Sequence, residues 1–495
     1  MYSNSHGRGI LTSDALRARA NFQPHKVAFR CEDRDLTYLQ WHRRSSRMAE
    51  FLVAIGIQKY ECIILAFPNH MMTDYMISLL AVQKAGATAV SLSEVVARSF
   101  GNKIAEVTLA RYSLGPNQLM GLRMIDYNEA ERFDGDFNFQ ISVSPGTVAD
   151  VIATSGTTAQ PKLIACPHGN LLWETRASTT PPETRRSNDI RMLAFLTIGT
   201  NGVQRTVTSA LRGDPYIYYL PSSFNIARIP HLLTEEEIDH LALVPVQAAA
   251  LARNFRGKSF DRISRVNLNS AYTPAWIATN LMRIFPNAEM YNLYGLSEGG
   301  NVRIQCSYDY SVPGRIGKPS LGQSVEVRDG HGNEVPRGAS GVIWVRDPAP
   351  YGRFYYGDET ESVYSADGWI ATDDIGRIDE DGSVILEGRA GELAKVSGMR
   401  VSLLQIDEAV SGMEGVRECA AFLLPHPTMG DLIGMAIVVD SASRTTFEEA
   451  KGRLIKSLGY MAPRVWMNLN KIPRTITGKV IRQELSEAYL AAKGK

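Results

Sequence analysis

The chain holds 495 residues, with 53 basic and 52 acidic side chains, 44% hydrophobic residues and 21% charged ones. That length predicts more than one domain, the apolar fraction excludes a disordered chain, and a net charge of +1 gives no reason to expect a nucleic-acid partner. Five scattered cysteines, none spaced as CxxC, argue against a disulfide framework and a structural zinc site.

The opening stretch, MYSNSHGRGILTSDALRARA, lacks the apolar core of a signal peptide, and the apolar runs are too short to cross a bilayer; a cytoplasmic protein with no membrane role is expected. Apolar residues at helical spacing run from Leu36 to Leu52 and predict a helix. Residues 62–67 are uniformly apolar and read as a buried strand closed by Pro68 and Asn69. A helix over 71–83 follows, then a second buried strand over 87–92, and this β–α–β rhythm predicts an α/β fold with helices packed over a largely parallel sheet. The rhythm returns over 239–252, in a helix over 276–285 and in a strand over 290–294. From 314 to 388 short β runs alternate with glycine turns, at 324–328, 341–345 and 384–386, predicting an antiparallel sheet or small barrel-like subdomain. Beyond Gly391 the pattern is mixed α+β, with helices over 402–412 and 446–457 and strands over 419–424 and 434–439. The domain boundary is therefore expected at 389–391, dividing the chain into a large domain, 1–390, and a small one, 391–495.

The most informative stretch is 151–162, VIATSGTTAQPK. A buried β run leads into small and hydroxylic residues, then a proline and a lysine. Exposed backbone N–H groups, hydroxyl donors and one mobile cation suit a phosphate. On composition alone the stretch is equally a surface turn, and neither a Walker loop nor a dinucleotide GxGxxG fingerprint occurs anywhere in the chain.

Thr154, Ser155, Gly156, Thr157, Thr158, Ala159, Gln160, Pro161 and Lys162 resemble the signature loop of the adenylate-forming superfamily: acyl-CoA synthetases, peptide-synthetase adenylation domains and luciferases. The family pattern is S/T-S-G-T-T-G-x-P-K-G, so Ala159 and Leu163 replace two glycines. Ordered further matches cover the rest of the chain. Asn292, Tyr294, Gly295, Ser297 and Glu298 match N-x-Y-G-x-T-E; Asp367 to Asp374 match D-G-W-x-x-T-G-D with Asp373 in place of glycine; and Gly388-Arg389 match the G-R that ends the large domain. Lys395, Gly398 and Arg400 match K-x-x-G-x-R-V/I, and Lys479 stands in a close copy of L-P-R-T-x-x-G-K.

The resemblance implies a carboxylic-acid-activating ligase that uses ATP and Mg²⁺ and passes the acyl group to CoA. It implies that the loop of Thr154 and Lys162 wraps the ATP phosphates, and that Tyr294, with Asn269, Ser270 and Ala271, lies by the adenine. Ser297 then touches the α-phosphate, Asp374 and Arg389 hold the ribose, and Glu298 with Thr157 holds the metal. Lys479 is the implied catalytic lysine. Lys395, Gly398 and Arg400 would swing in for thioester formation on a mobile lid hinged at Gly391, where glycine leaves rotation unhindered. Alternative acceptors are a phosphopantetheinyl carrier protein or an amine. An enzyme of one half-reaction and a non-catalytic nucleotide-binding protein also stay open, as does monomer or homodimer.

For the acid pocket the resemblance points to Gly199, Thr200, Asn201, Gly202 and Gly295. Gly199 stands where a histidine or aromatic gate is usual, an absence that predicts either room for a bulkier acid or a poorly oriented carboxylate. No acidic residue lies between 191 and 212 to balance an α-ammonium group, so amino-acid substrates are disfavoured. Bulky apolar, aryl and polyketide-like acids remain. His168 reads as a helix-start or packing residue, and Cys166 as a bystander.

Overall fold

The strands Cys62–Ala66 and Thr88–Leu92 are buried at every position. Continuous burial is the signature of a parallel sheet covered on both faces, and both belong to one. A computed structural model describes residues 10–117, 119–154, 161–173, 189–309, 311–357, 362–396, 399–426, 430–439, 446–459, 462–475 and 478–493, with backbone alone described at 395, 396, 399, 400 and 430.

The seven-stranded sheet runs in the order Phe354–Tyr355, Leu163–Pro167, Val148–Ala153, Thr88–Leu92, Cys62–Ala66, Tyr112–Leu114, Arg123–Ile125. Its last five strands are parallel, and the first two are antiparallel additions at one edge. The helix Tyr38–Ala54 opens with a capping box in which Thr37 and Gln40 exchange backbone and side-chain hydrogen bonds, a device worth about 1 kcal/mol. It packs Trp41, Met48 and Leu52 into a core shared with Leu79, Leu80 and Phe29.

A thirteen-stranded sheet forms the second layer. Val27–Cys31, Tyr216–Tyr219, Ile190–Ala194, His240–Leu243, Arg265–Asn269 and Glu289–Tyr294 are parallel neighbours. Beyond Glu289–Tyr294 the sheet turns antiparallel, through Ile304–Ser307, Arg315–Pro319, Val384–Arg389, Ile370–Ile378, Gly341–Arg346 and Ser324–Arg328. The glycine-punctuated β runs read from the sequence are these strands. They continue the α/β sheet edge to edge, and the place where parallel becomes antiparallel is the place where the Tyr294 segment ends.

From Ala394 onward the chain builds its own cores. Leu403, Ile406, Val410, Ile433, Met435 and Leu454 form one and Phe422, Leu424, Val438 and Leu485 another, and neither contains a buried residue from earlier in the chain. A large N-terminal body therefore carries a smaller C-terminal unit. The unit rests on the helices Pro245–Asn254 and Ala275–Ile284: Glu408 accepts the Ala275 N–H at 2.8 Å, and Trp276 packs against Gly412. Between the two, the strand Val384–Arg389 gives way to a single 3-10 turn, Ala390–Glu392. Gly391 is exposed there, with nothing within 4 Å of the place a Cβ would occupy and no left-handed φ. The conformation described does not itself require glycine.

Candidate active site

The body and the C-terminal unit enclose a cleft of roughly 1750 Å³ along the carboxyl ends of the parallel strands, where ligands of open α/β sheets bind. The sequence-predicted residues meet here. Thr154, Lys162, Thr200, Asn201, Gly202, Asn269, Ser270, Ala271, Asn292, Tyr294, Gly295, Ser297, Glu298, Asp374, Arg389 and Lys479 all line it. Ser155, Gly156, Thr157, Thr158 and Gly398 lie outside the described residues, as do the side chains of Lys395 and Arg400.

The phosphate-type loop joins two antiparallel strands, Val148–Ala153 and Leu163–Pro167, and the Thr154 N–H donates to the Lys162 carbonyl at 2.8 Å across its base. The Lys162 ammonium sits 4.6 Å from the centre of the Tyr355 ring, on the neighbouring edge strand. Attraction between the cation and the ring face holds that side chain at the mouth of the loop.

Opposite lies a cluster built on strand register. Asp374 pairs with Arg389 across two antiparallel strands, and the Arg389 Nε donates to its Oδ1 at 3.1 Å. The Tyr294 hydroxyl donates to its Oδ2 at 2.6 Å. Burial, reinforced by the Asp374 charge, pushes the Tyr294 phenol well above its ordinary range, so it stays a donor. Burial works against the Arg389 charge, but Asp374 outweighs it and the guanidinium is held above its usual value. Asp373 stands at φ +59 in this strand, so the left-handed backbone that glycine supplies in the family pattern is kept by an aspartate. Ser270, which also lines the cleft, likewise stands at φ +74.

From the C-terminal unit, the Thr475 N–H donates to the Lys479 carbonyl at 2.8 Å, the Lys479 N–H returns to the Thr475 hydroxyl at 3.2 Å, and Arg474 ties Gly478 down at 3.0 Å. This turn sets Lys479 into the cleft. Burial lowers its pKa, and Arg389 adds to the lowering, while Asp374, Glu298 and Glu392 oppose it. The half-buried lysine of the C-terminal unit thus meets Asp374 and Glu298 of the body and Glu392 of the connecting turn in a cleft that all four line.

Gly199 departs from expectation. It does not line the cleft, and a Cβ there would lie 2.5 Å from the Ser93 nitrogen and 2.6 Å from the Leu92 carbonyl carbon. Its φ of +78 turns it toward the main chain at the end of a buried strand, so the missing side chain opens no room for a bulkier acid. His168 starts a short helix, is buried, and meets the Thr12 hydroxyl at 3.0 Å. The Cys166 thiol is fully buried and pushed up to about 11 by burial.

Two residues escaped the sequence reading. Arg353 is 2% exposed; its Nη1 donates to the Ser297 carbonyl at 2.8 Å and its Nε to Asn170 Oδ1 at 2.9 Å. Gly300, at φ +58, lets it pass, because a Cβ there would lie 2.6 Å from its Nε. Arg205 lines the cleft from the helix Asn201–Arg212. Neither has a local signal, since both earn their place through partners distant in the chain. Among the described residues no cluster of three metal-ligating side chains occurs. Glu298 supplies one carboxylate at the cleft wall, a donor set that fits Mg²⁺ held mainly by nucleotide phosphates and water.

The model of the AMP-binding enzyme family matches residues 16–356, well over half of the chain. The chain belongs to the AMP-binding enzyme family. Among curated relatives, a feruloyl-CoA synthase of Amycolatopsis is 26% identical over 95% of this chain and 97% of its own. The fatty acid–[acyl-carrier-protein] ligase ScoC of Streptomyces coeruleorubidus is 24% identical over 95% of each. The anthranilate CoA ligase AuaEII, solved with anthranoyl-AMP, superposes with a TM-score of 0.87 over 100% of both chains at 19% identity, and so shares the fold. No described helix is long and apolar enough to cross a membrane.

Proposed function

We propose that this chain is an AMP-forming acid–thiol ligase, which activates a carboxylic acid with ATP as an acyl-adenylate and transfers the acyl group to CoA. The observation that carries the reading is the shared cleft: Lys479 of the C-terminal unit faces Glu298, Asp374 and Arg389 of the body. In the first half-reaction a carboxylate oxygen of the acid attacks the α-phosphorus and pyrophosphate leaves. Lys479 bridges the two anions and offsets the charge that gathers as they approach. The 154–162 loop with Lys162 holds the β- and γ-phosphates, and Ser297, fixed through its carbonyl by Arg353, meets the α-phosphate. Asp374, oriented by Tyr294 and Arg389, accepts from the ribose hydroxyls, and the strand end at Asn292 and Tyr294 with Asn269, Ser270 and Ala271 borders the adenine. Mg²⁺ at Glu298, with Thr157, would neutralise phosphate charge. In the second half-reaction a thiolate attacks the acyl carbon and AMP leaves. With the domain division placed at 390/391, a rotation about Gly391 would withdraw Lys479 and bring in Lys395, Gly398 and Arg400; the single turn Ala390–Glu392 ahead of the separate C-terminal cores supports it.

A pyrophosphate-release screen over a carboxylic-acid panel, with and without CoA, tests the reading. At least one acid supports release, and a CoA thioester accumulates when CoA is present. Lys479→Ala lowers the adenylation rate by about a hundredfold or more, as loss of a charge-stabilising donor does. An unchanged rate refutes the mechanism. Transfer to a pantetheinylated carrier protein and not to CoA replaces the acceptor, a reading favoured by the carrier-protein ligase among the relatives.

A further inference from the structure

Arg205 projects from the helix Asn201–Arg212 into the cleft. Its Nη1 lies over Gly295, 2.9 Å from the place a Cβ would occupy there, and donates to the Val302 carbonyl at 3.4 Å. That one long contact leaves most of the five N–H donors of its guanidinium without a protein acceptor among the described residues. No carboxylate among the described residues comes within 4.0 Å of it. The acid closest to it in effect is Asp347, a buried carboxylate whose pKa burial raises to about 6.

The surroundings are cationic. Burial, with repulsion from Arg303, Arg212 and Arg353, brings the Arg205 pKa down to about 9. Arg205, Arg212 and Arg303 line the same cleft, and the Arg205 guanidinium, with its one long hydrogen bond, has donors to offer an anion there. These surroundings differ from those of Lys479. The strongest electrostatic neighbours of Lys479 are Arg389, Asp374, Glu298 and Glu392, and those of Arg205 are Arg303, Arg212, Arg353 and Asp347. The two sets share no member.

From this geometry we propose that the acid substrate carries a second carboxylate, received by Arg205 beside Gly295 and Val302, so that the enzyme activates one end of a dicarboxylic acid while Arg205 holds the other. A flat carboxylate matches the two-pronged face of a guanidinium. The second carboxylate does not react; it fixes the acyl chain so that the first is presented to Lys479. The proposal rests on the ligase reading for which carboxylate reacts, and it replaces the apolar acids suggested by the sequence.

The test compares aliphatic and aromatic dicarboxylic acids with their monomethyl esters, which keep the shape and one reactive carboxylate but lose the second charge. Pyrophosphate release is measured for the wild type, Arg205→Gln and Arg205→Lys. The wild type favours the best diacid over its half-ester by about tenfold to a hundredfold in kcat/KM, the range of a charged hydrogen-bonded contact. In Arg205→Gln that ratio collapses to within about threefold, and Arg205→Lys recovers part of it. Half-esters used as well as diacids throughout the panel overturn the proposal while leaving the ligase intact. So does an Arg205→Gln enzyme whose diacid preference is unchanged, or whose only change is a raised KM for ATP. Calorimetric binding of the same pairs without ATP separates the two readings. A diacid preference that Arg205→Gln abolishes, in a protein that releases no pyrophosphate with any acid, upholds the anion site and removes the ligase reading. Equal binding of both members of every pair overturns the anion site.

Discussion

Arg353→Met removes a side chain that reaches across the body to anchor the residue assigned to the α-phosphate. The wild-type guanidinium is 2% exposed and makes two short hydrogen bonds, to Ser297 O at 2.8 Å and Asn170 Oδ1 at 2.9 Å, with a longer one to Asn201 Oδ1 at 3.4 Å. Each short bond from a charged donor contributes about 1.5–3 kcal/mol, and the buried Asn170 oxygen is stranded once the donor is gone. Methionine fills much of the same volume and relieves the cost of a buried charge, which offsets part of the loss. The expected net destabilisation is about 3 kcal/mol. Arg353→Lys keeps the charge but cannot span both acceptors, and it falls between wild type and Arg353→Met. Guanidinium denaturation followed by tryptophan fluorescence reads the stability term. Steady-state pyrophosphate release, well below the melting transition, reads the positioning term: kcat falls about tenfold or more, because Ser297 loses its anchor where charge develops. Unchanged stability refutes the packing argument. Reduced stability with wild-type kcat refutes the positioning of Ser297 and leaves Arg353 a structural anchor alone.

Three further outcomes follow from the same geometry. Tyr294→Phe deletes the 2.6 Å bond to Asp374; Asp374 keeps Arg389, so the KM for ATP rises only about tenfold, whereas Asp374→Asn costs more, and a nucleotide-binding titration checks both. Asp373→Gly relieves a non-glycine residue held at φ +59 and is expected to be neutral or to stabilise by up to about 1 kcal/mol, read as an unchanged or raised thermal midpoint. Burial depresses the pKa of His168 to about 4. The unfolded state therefore takes up that proton first, so stability is fully present above the ordinary histidine range and is lost as the pH falls toward about 4, by about 3 kcal/mol from this residue. Thermal melts at falling pH show a smaller drop in His168→Asn than in wild type if the argument holds.

The α/β rhythm was legible because buried strands such as Cys62–Ala66 and amphipathic helices such as Tyr38–Ala54 announce themselves through period and run length. Element ends moved by a residue or two: the helix expected over 71–83 is Met72–Lys84. The pairing of Phe354–Tyr355 onto Leu163–Pro167 was not legible, since a two-residue strand has no period to detect. It is this pairing that brings Tyr355 beneath Lys162.

Most of the candidate site was legible as motifs, because Thr154 to Lys162, Asn292 to Glu298 and the Lys479 turn are each continuous in the chain. Gly199 was misjudged because its neighbours, Leu92 and Ser93, lie more than a hundred residues away, and only their backbone shows that the space is filled. The same distance hid Arg205 and Arg353. An isolated arginine in a sequence is most often a solvated surface residue, and its charge acquires meaning only from what folding sets beside it. By itself, then, the sequence determined the family pattern and the α/β class, and it singled out the residues proposed to handle a nucleotide, all carried by short-range order. The tertiary structure alone decided that Lys479 meets Glu298 and Asp374 in one cleft, and that Arg205 lines the same cleft beside Gly295. Electrostatic surroundings are a property of three-dimensional neighbours, which a linear chain does not display.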